Sequence, residues 1–210
     1  MAGRGWGGAP PKDDDEARAR VVAAAMRCID QFGPDKTALS DVASELGVTR
    51  QTVYRLFAGT DELMRAVLVD AADRFVDRLA LRARGIEDPA DALVECLAFT
   101  LERLPHERYL ASIVPSIRGS VRSLEVTSHV GYELTHALLA RLTIDWNAIG
   151  VGPRELDDLA EIYLRTLQSF ELDPGVHRSR AARRELLGRW LGPAVRAIIA
   201  TAGSTVAAVV

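Results

Sequence analysis

The sequence predicts an all-α protein: a small N-terminal helical head followed by a larger helical body. Three observations carry that expectation. Apolar residues recur at three- and four-residue intervals along almost the whole chain, which is the period of a helix with one buried face. No β-branched alternating run bounded by hairpin turns occurs. Glycine and proline fall between the periodic segments, at Gly33-Pro34, Gly47, Gly59 and Gly85, where helices are expected to stop.

The segments follow in order. Met1 to Asp15 is expected to be a flexible arm. From Glu16 the residues Val22, Ala25, Met26 and Ile29 form a helical stripe up to Gly33. Thr37 or Ala38 opens a short helix with Leu39, Val42, Ala43 and Leu46 inward, ending at Gly47, a residue suited to the left-handed position after a helix. Thr49 caps a second short helix to about Phe57. Thr60 or Asp61 opens a long helix through Leu63, Val67, Leu68, Ala71, Phe75 and Leu79 to near Gly85. Pro89 to Leu104 is amphipathic through Leu93, Leu97 and Leu101. Glu107 to Arg118 continues with Leu110, Ile113 and Ile117, kinked or ended by Pro115. A helix from about Ser123 to Thr143 places Val130, Leu134, Leu138 and Leu142 inward, and Trp146 to Pro153 is an irregular linker. Glu155 to Phe170 and Arg180 to Thr201 complete the chain, with Pro193 expected to bend the last helix. The domains read as an arm (1–15), a head (16–60), a body (61–203) and a flexible tail (204–210).

Composition narrows the function classes. With 210 residues and 48% hydrophobic content the chain can bury a sizeable core, and its net charge of −3 means that any nucleic-acid surface is local. Cys28 and Cys96 stand far apart with no ligand-spaced partner, which excludes a zinc module and does not suggest a disulfide framework. Neither a signal-like apolar run nor a stretch of about 20 apolar residues occurs, so a cytoplasmic protein without a membrane span is expected. Enzyme motifs are lacking: GRGWGG precedes no strand, and no GxSxG is found. His129, Glu133 and His136 share a helix face but lack the HExxH order, so no metal and no cofactor are expected.

Two short helices joined by a tight glycine turn form a helix-turn-helix, whose second helix enters the DNA major groove. The stretch LGVTRQTVYRLF, Leu46 to Phe57, fits that second helix, because it places many hydrogen-bonding side chains at the helix start. Arg50 and Gln51 can reach base edges bidentately, and Thr52, Tyr54 and Arg55 can reach phosphates. Thr37 and Thr49, where the two helices begin, are further candidates.

The residues Ala24 to Ile29, Gly33, Thr37 to Ala43, Leu46-Gly47-Val48, Thr52-Val53-Tyr54, Phe57 and Leu63 together resemble the tetracycline-repressor (TetR) family of bacterial regulators. The resemblance implies a three-helix DNA-binding head, a connecting fourth helix and a helical body that dimerises and binds a small ligand. It also implies base contacts at Ser40, Arg50 and Gln51 and phosphate contacts at Leu39, Thr52, Tyr54, Leu56 and Thr60. The sequence departs from the family where a lysine is common, at Thr60, and where a histidine is common, at Leu56. Residues 1 to 65 carry nine cationic and ten anionic side chains, so the head is not basic. The implied partners are a palindromic DNA operator, a small effector and a second copy of the chain; a regulator without an effector is the alternative.

In the body, Phe99, Arg103, Tyr109, Tyr132, His136, Trp146 and Tyr163 are the candidates to line an effector pocket, which favours an apolar or aromatic effector. The last helix has an apolar stripe too wide for one covered side, through Leu187, Trp190, Leu191, Ala194, Val195, Ile198 and Ile199. Gly188 and Gly192 lie one turn apart on it. With Leu167 of the preceding helix, the residues Leu187, Gly188, Trp190, Leu191, Gly192 and Val195 are the expected dimer interface.

Overall fold

The computed structural model describes residues 5–107, 109–110, 129–173, 175–176 and 179–207. Among these the chain is helical: α1 (Asp14–Phe32), α2 (Leu39–Leu46), α3 (Arg50–Leu56), α4 (Thr60–Ala83), α5 (Pro89–Arg103), α6 (His129–Arg141), α7 (Pro153–Leu172) and α8 (Arg180–Ala207). The helix expected at 107–118, with Pro115, lies largely outside the described residues. No described helix is long and apolar enough to cross a membrane. The chain divides into two compact units, Met1–Ala71 and Ala72–Val210. The division falls inside α4 rather than at Thr60, because Leu63 and Val67 are buried in the same unit as α1–α3.

The ends of the first unit's helices follow local chemistry. The Asp13 side chain accepts the Glu16 N–H and caps α1, whose first turn carries Asp14, Asp15 and Glu16; negative charge there meets the positive end of the helix dipole. The Asp41 carboxylate accepts the Ala38 N–H at 2.8 Å at the start of α2. Gly47 ends α2 at φ 64°, ψ 29°, a left-handed conformation that glycine takes without a Cβ clash. Val21, Ala24 and Ala25 of α1, Val42 of α2, Val53 of α3 and Phe57 are all buried, and α1 packs against both α2 and α3. The arm is a correction: Gly5–Gly8 form a 3-10 turn, and Asp14 and Asp15 already belong to α1.

In the second unit α5 is the most enclosed helix; Leu93, Cys96, Leu97, Thr100 and Leu101 are all buried. It packs against α8 and α7, and α6 packs against α7. Two ion-pair clasps fasten α8 along α5. Arg184 donates to Glu95 at 2.7 Å and also pairs with Glu102. Near the start of α5, Arg196 reaches Asp88 at 3.1 Å and Asp91 at 2.7 Å. Arg82 of α4 shares Glu95 at 2.6 Å.

This packing corrects several expectations. Leu187, Leu191 and Val195 are buried within the single chain, as is Leu167 of α7, so they are core rather than free interface. The physical reason is that their stripe faces α5, which the alignment of Arg184 and Arg196 on the same side enforces. A Cβ on Gly192 would come 3.0 Å from an Arg196 guanidinium nitrogen, the mobile end of a long side chain. α8 runs on through Pro193 without interruption to Ala207, which replaces the tail expected from residue 204. Val130, expected inward, is 55% exposed in the first turn of α6.

Candidate nucleic-acid interface

The second short helix, α3, is held at both ends. At its start the Thr49 hydroxyl accepts the Thr52 N–H at 3.2 Å and lies 2.9 Å from the Thr52 hydroxyl. At its end Arg18 of α1 places its guanidinium over the Phe57 ring, 4.1 Å from the centroid, and donates to the Leu56 carbonyl and to Glu62. Glu62 also accepts the Ala58 N–H at 2.8 Å. That backbone N–H, and then Arg18, hold the Glu62 carboxyl below its ordinary range. Val53 and Leu56 bury the inner side of α3.

The outer side is left to solvent. Arg50, Gln51 and Tyr54 are exposed, Tyr54 by 55%. Among the described residues Arg50 has no carboxylate partner. A guanidinium, a carboxamide and a phenol on one short helix supply donors and acceptors for base edges and phosphates. Ser40, Thr52 and Thr60 are half-buried, with Thr60 as the first residue of α4 rather than its cap.

Three expectations for this surface change. Thr37 is buried and donates its hydroxyl to the Gly33 carbonyl at 2.8 Å, so it ties the α1–α2 connection together instead of facing outward. Leu39 and Leu56 are buried, which leaves only their backbone for any phosphate. Arg55 is exposed but forks onto Asp14 at 3.0 and 3.3 Å, joining α3 to the start of α1. Helical periodicity could not announce the Arg18 and Asp14 links, since they join residues about 40 apart.

His136 and Trp146 line a surface cleft of about 580 Å³ with Leu139, Ile144, Asp145 and Leu156. Trp146 donates its ring N–H to the Leu139 carbonyl at 2.9 Å, and His136 pairs with Asp157 at 2.9 Å. Tyr163 is buried, with its hydroxyl 2.9 Å from that of Thr100; burial pushes its ionisation far up. Phe99 packs on Phe75 with centroids 6.3 Å apart. Tyr109 and Tyr132 are half-buried and Arg103 is exposed. His129 pairs with Glu133 at 3.0 Å, so these two and His136 do not meet at a common point.

A recognition helix braced at both ends on a three-helix head, followed by an all-α body, defines a helix-turn-helix DNA-binding regulator. Residues 21–67 match the model for bacterial regulatory proteins of the tetR family. The chain is 26% identical over 178 residues to an uncharacterised helix-turn-helix-type regulator of Mycobacterium tuberculosis, covering 83% of this chain and 92% of that protein. Its fold is similar to that of the TetR family repressor AlkX from a Dietzia species, with TM-score 0.60, 19% identity and 87% and 96% of the two chains covered. Thermus thermophilus FadR, a TetR family repressor solved with lauroyl-CoA, matches with TM-score 0.53, 20% identity and 83% and 92% coverage.

Proposed function

We propose that the protein is a non-enzymatic, dimeric repressor that binds a palindromic operator and is released by an apolar or aromatic small molecule. The observation that carries the DNA reading is the outward face of α3, with Arg50, Gln51 and Tyr54 presented from a helix clamped by Thr49 and Arg18. Arg50 and Gln51, with Ser40, read bases; Thr49, Thr52, Tyr54 and Thr60 hold phosphates. Arg55 reaches a phosphate by exchanging it for Asp14, since the pair is solvent-exposed and weak.

Dimerisation uses the outer side of α7 and α8. Trp190 is 59% exposed and meets Phe170 edge to face at 6.2 Å, and Leu172 is 51% exposed. A Cβ on Gly188 would meet nothing within 4 Å, so a partner helix has room there. Two heads then engage successive major grooves about 34 Å apart, and the effector favours a body shape in which that spacing is lost. Thermus thermophilus FadR, which is similar in fold, is solved in complex with lauroyl-CoA, which supports an effector of apolar character here.

Selection of genomic DNA fragments by the full-length protein tests the reading. Recovery of a palindromic sequence whose binding is lost in Arg50→Ala, together with a compound that raises the melting temperature and releases that DNA, is the expected result. Fragments with no common sequence would remove the operator-binding reading.

A further inference from the structure

The cleft beside the end of α6 is held in shape by its own backbone. Leu139 and Ala140 of α6, the connection from Ile144 to Asn147 and Leu156 of α7 surround about 580 Å³. Small-molecule sites usually enclose about 300–1,000 Å³. Within the connection the Val151 N–H donates to the Trp146 carbonyl at 2.9 Å, and the Gly150 N–H donates to the Asn147 carbonyl at 3.0 Å. The Trp146 ring is only 9% exposed and gives its N–H to the Leu139 carbonyl. His136 of α6 pairs with Asp157 of α7 at 2.9 Å. A ligand therefore meets walls that are already fixed, and loses little affinity to ordering them.

The lining selects the ligand's chemistry. Leu139, Ile144, Trp146 and Leu156 supply apolar surface. With the indole N–H and His136 engaged, the polar groups left to a ligand are those of Asp145 and Asn147, both exposed. Asp145 accepts the Ala148 N–H through Oδ1 at 3.0 Å, which orients the carboxylate and leaves Oδ2 open. Among the described residues Asp145 has no cationic partner. Nor do the described residues hold a group of three or more His, Cys, Asp or Glu that could bind a metal ion. One oriented carboxylate beside an indole and aliphatic surface suits an organic cation: an ammonium donates to the carboxylate and is drawn to the aromatic face, while its hydrocarbon part covers the apolar lining.

We propose that this cleft binds a small organic amine, with its ammonium on Asp145 and the Asn147 carboxamide oxygen as second acceptor, and its ring against Leu139, Ile144 and Trp146. An anion of the same shape is repelled by Asp145, and a neutral analogue forgoes the ion pair. The site stands whether or not the amine also releases DNA.

Isothermal titration calorimetry of the full-length protein without DNA tests this with three probes of one shape: phenethylamine, phenethyl alcohol and hydrocinnamate. Phenethylamine is expected to bind saturably, about tenfold more tightly than the alcohol, the ratio an exposed ion pair and a cation–π contact give together. Hydrocinnamate should not bind. Asp145→Asn should remove the amine's advantage with the melting temperature unchanged, because its carboxamide oxygen can still accept the Ala148 N–H. Ala140→Phe, a change at an exposed residue of the lining, should fill the cleft and abolish binding of the amine and the alcohol alike. Equal affinity for amine and alcohol, an amine preference that survives in Asp145→Asn, amine binding untouched by Ala140→Phe, or no saturable binding of phenethylamine would each overturn the proposal. Release from an operator is read only with DNA present, so the failure of either reading leaves the other standing.

Discussion

The guanidinium of Arg18 lies 4.1 Å above the ring of Phe57, and through that contact α1 holds the end of α3 in place. The same group donates to the Leu56 carbonyl and to Glu62, so one side chain joins the last turn of α3 to the first turn of α4. Arg18→Ala is expected to lower the head's stability by about 1–2 kcal/mol, from the lost stacking and a lost charge-assisted hydrogen bond. Arg18→Lys should restore only part of this, since an ammonium cannot lie flat on the ring and fork at the same time. Denaturant unfolding of the three proteins measures both effects.

Arg50 and Tyr54 share the outer face of α3 and should fail differently. Arg50→Ala is expected to cost about 1–3 kcal/mol on the preferred DNA and to relax the choice at one base pair in each half-site. Tyr54→Phe should weaken all sequences alike and leave the salt slope nearly unchanged, because the lost hydroxyl is uncharged. Thr60→Lys should strengthen binding non-specifically and steepen the salt slope. Titrations against selected and scrambled DNA at two salt concentrations decide each point, and full base preference in Arg50→Ala would remove that residue from the interface.

Glu95 links the α5–α8 clasp to pH. Burial by itself pushes its carboxyl up, but the hydrogen bonds from Arg184 and Arg82 outweigh that and hold it below the ordinary 4.5. A carboxyl whose folded pKa is depressed contributes stability that is complete above its unfolded pKa and is lost as pH falls through the folded value. The protein should therefore lose stability as pH drops below about 4.5, and Glu95→Gln should flatten the profile in that window. Arg184→Ala should cost up to about 3 kcal/mol at neutral pH, because the largely buried Glu95 and Glu102 lose a partner. Urea midpoints from pH 3 to pH 7 check the sign.

Cys96 lies inside α5 with its Sγ 3.6 Å from the Leu79 carbonyl, and burial pushes the thiol up to about 12. Since the thiolate is the reactive form, Cys96 should resist a thiol reagent at pH 8 in the folded protein and react fully in denaturant. Rapid native labelling of Cys96, located by peptide mass, would contradict the packing of α5.

Trp190 and Leu191 are neighbours in sequence with opposite fates, one exposed and one buried. Trp190→Glu is expected to shift sedimentation from dimer to monomer with the helical signal retained. Leu191→Ala should instead lower the melting temperature, at a cost of about 2–5 kcal/mol for a buried leucine truncation.

Local chemistry determined much of this protein from the sequence alone. The period of three and four places α1 to α5 within about two residues of their observed bounds. Gly47 and Thr49 mark the turn because a left-handed residue and a hydroxyl cap are needed at those positions whatever lies elsewhere. The outward Arg50, Gln51 and Tyr54 follow from the same helical wheel that buries Val53 and Leu56. Tertiary structure alone decided which of two apolar faces α8 turns inward, because the stripe through Leu187, Leu191 and Val195 is covered only once Arg184 and Arg196 find Glu95 and Asp88, about 90 and 108 residues away in the chain. It likewise turned the N-terminal arm from a loose end into a strap, since a glycine at residue 5 has no meaning until Gly47 is folded beside it. Periodicity reports which residues share a face; what that face meets depends on contacts between distant segments, and those form only in the folded chain.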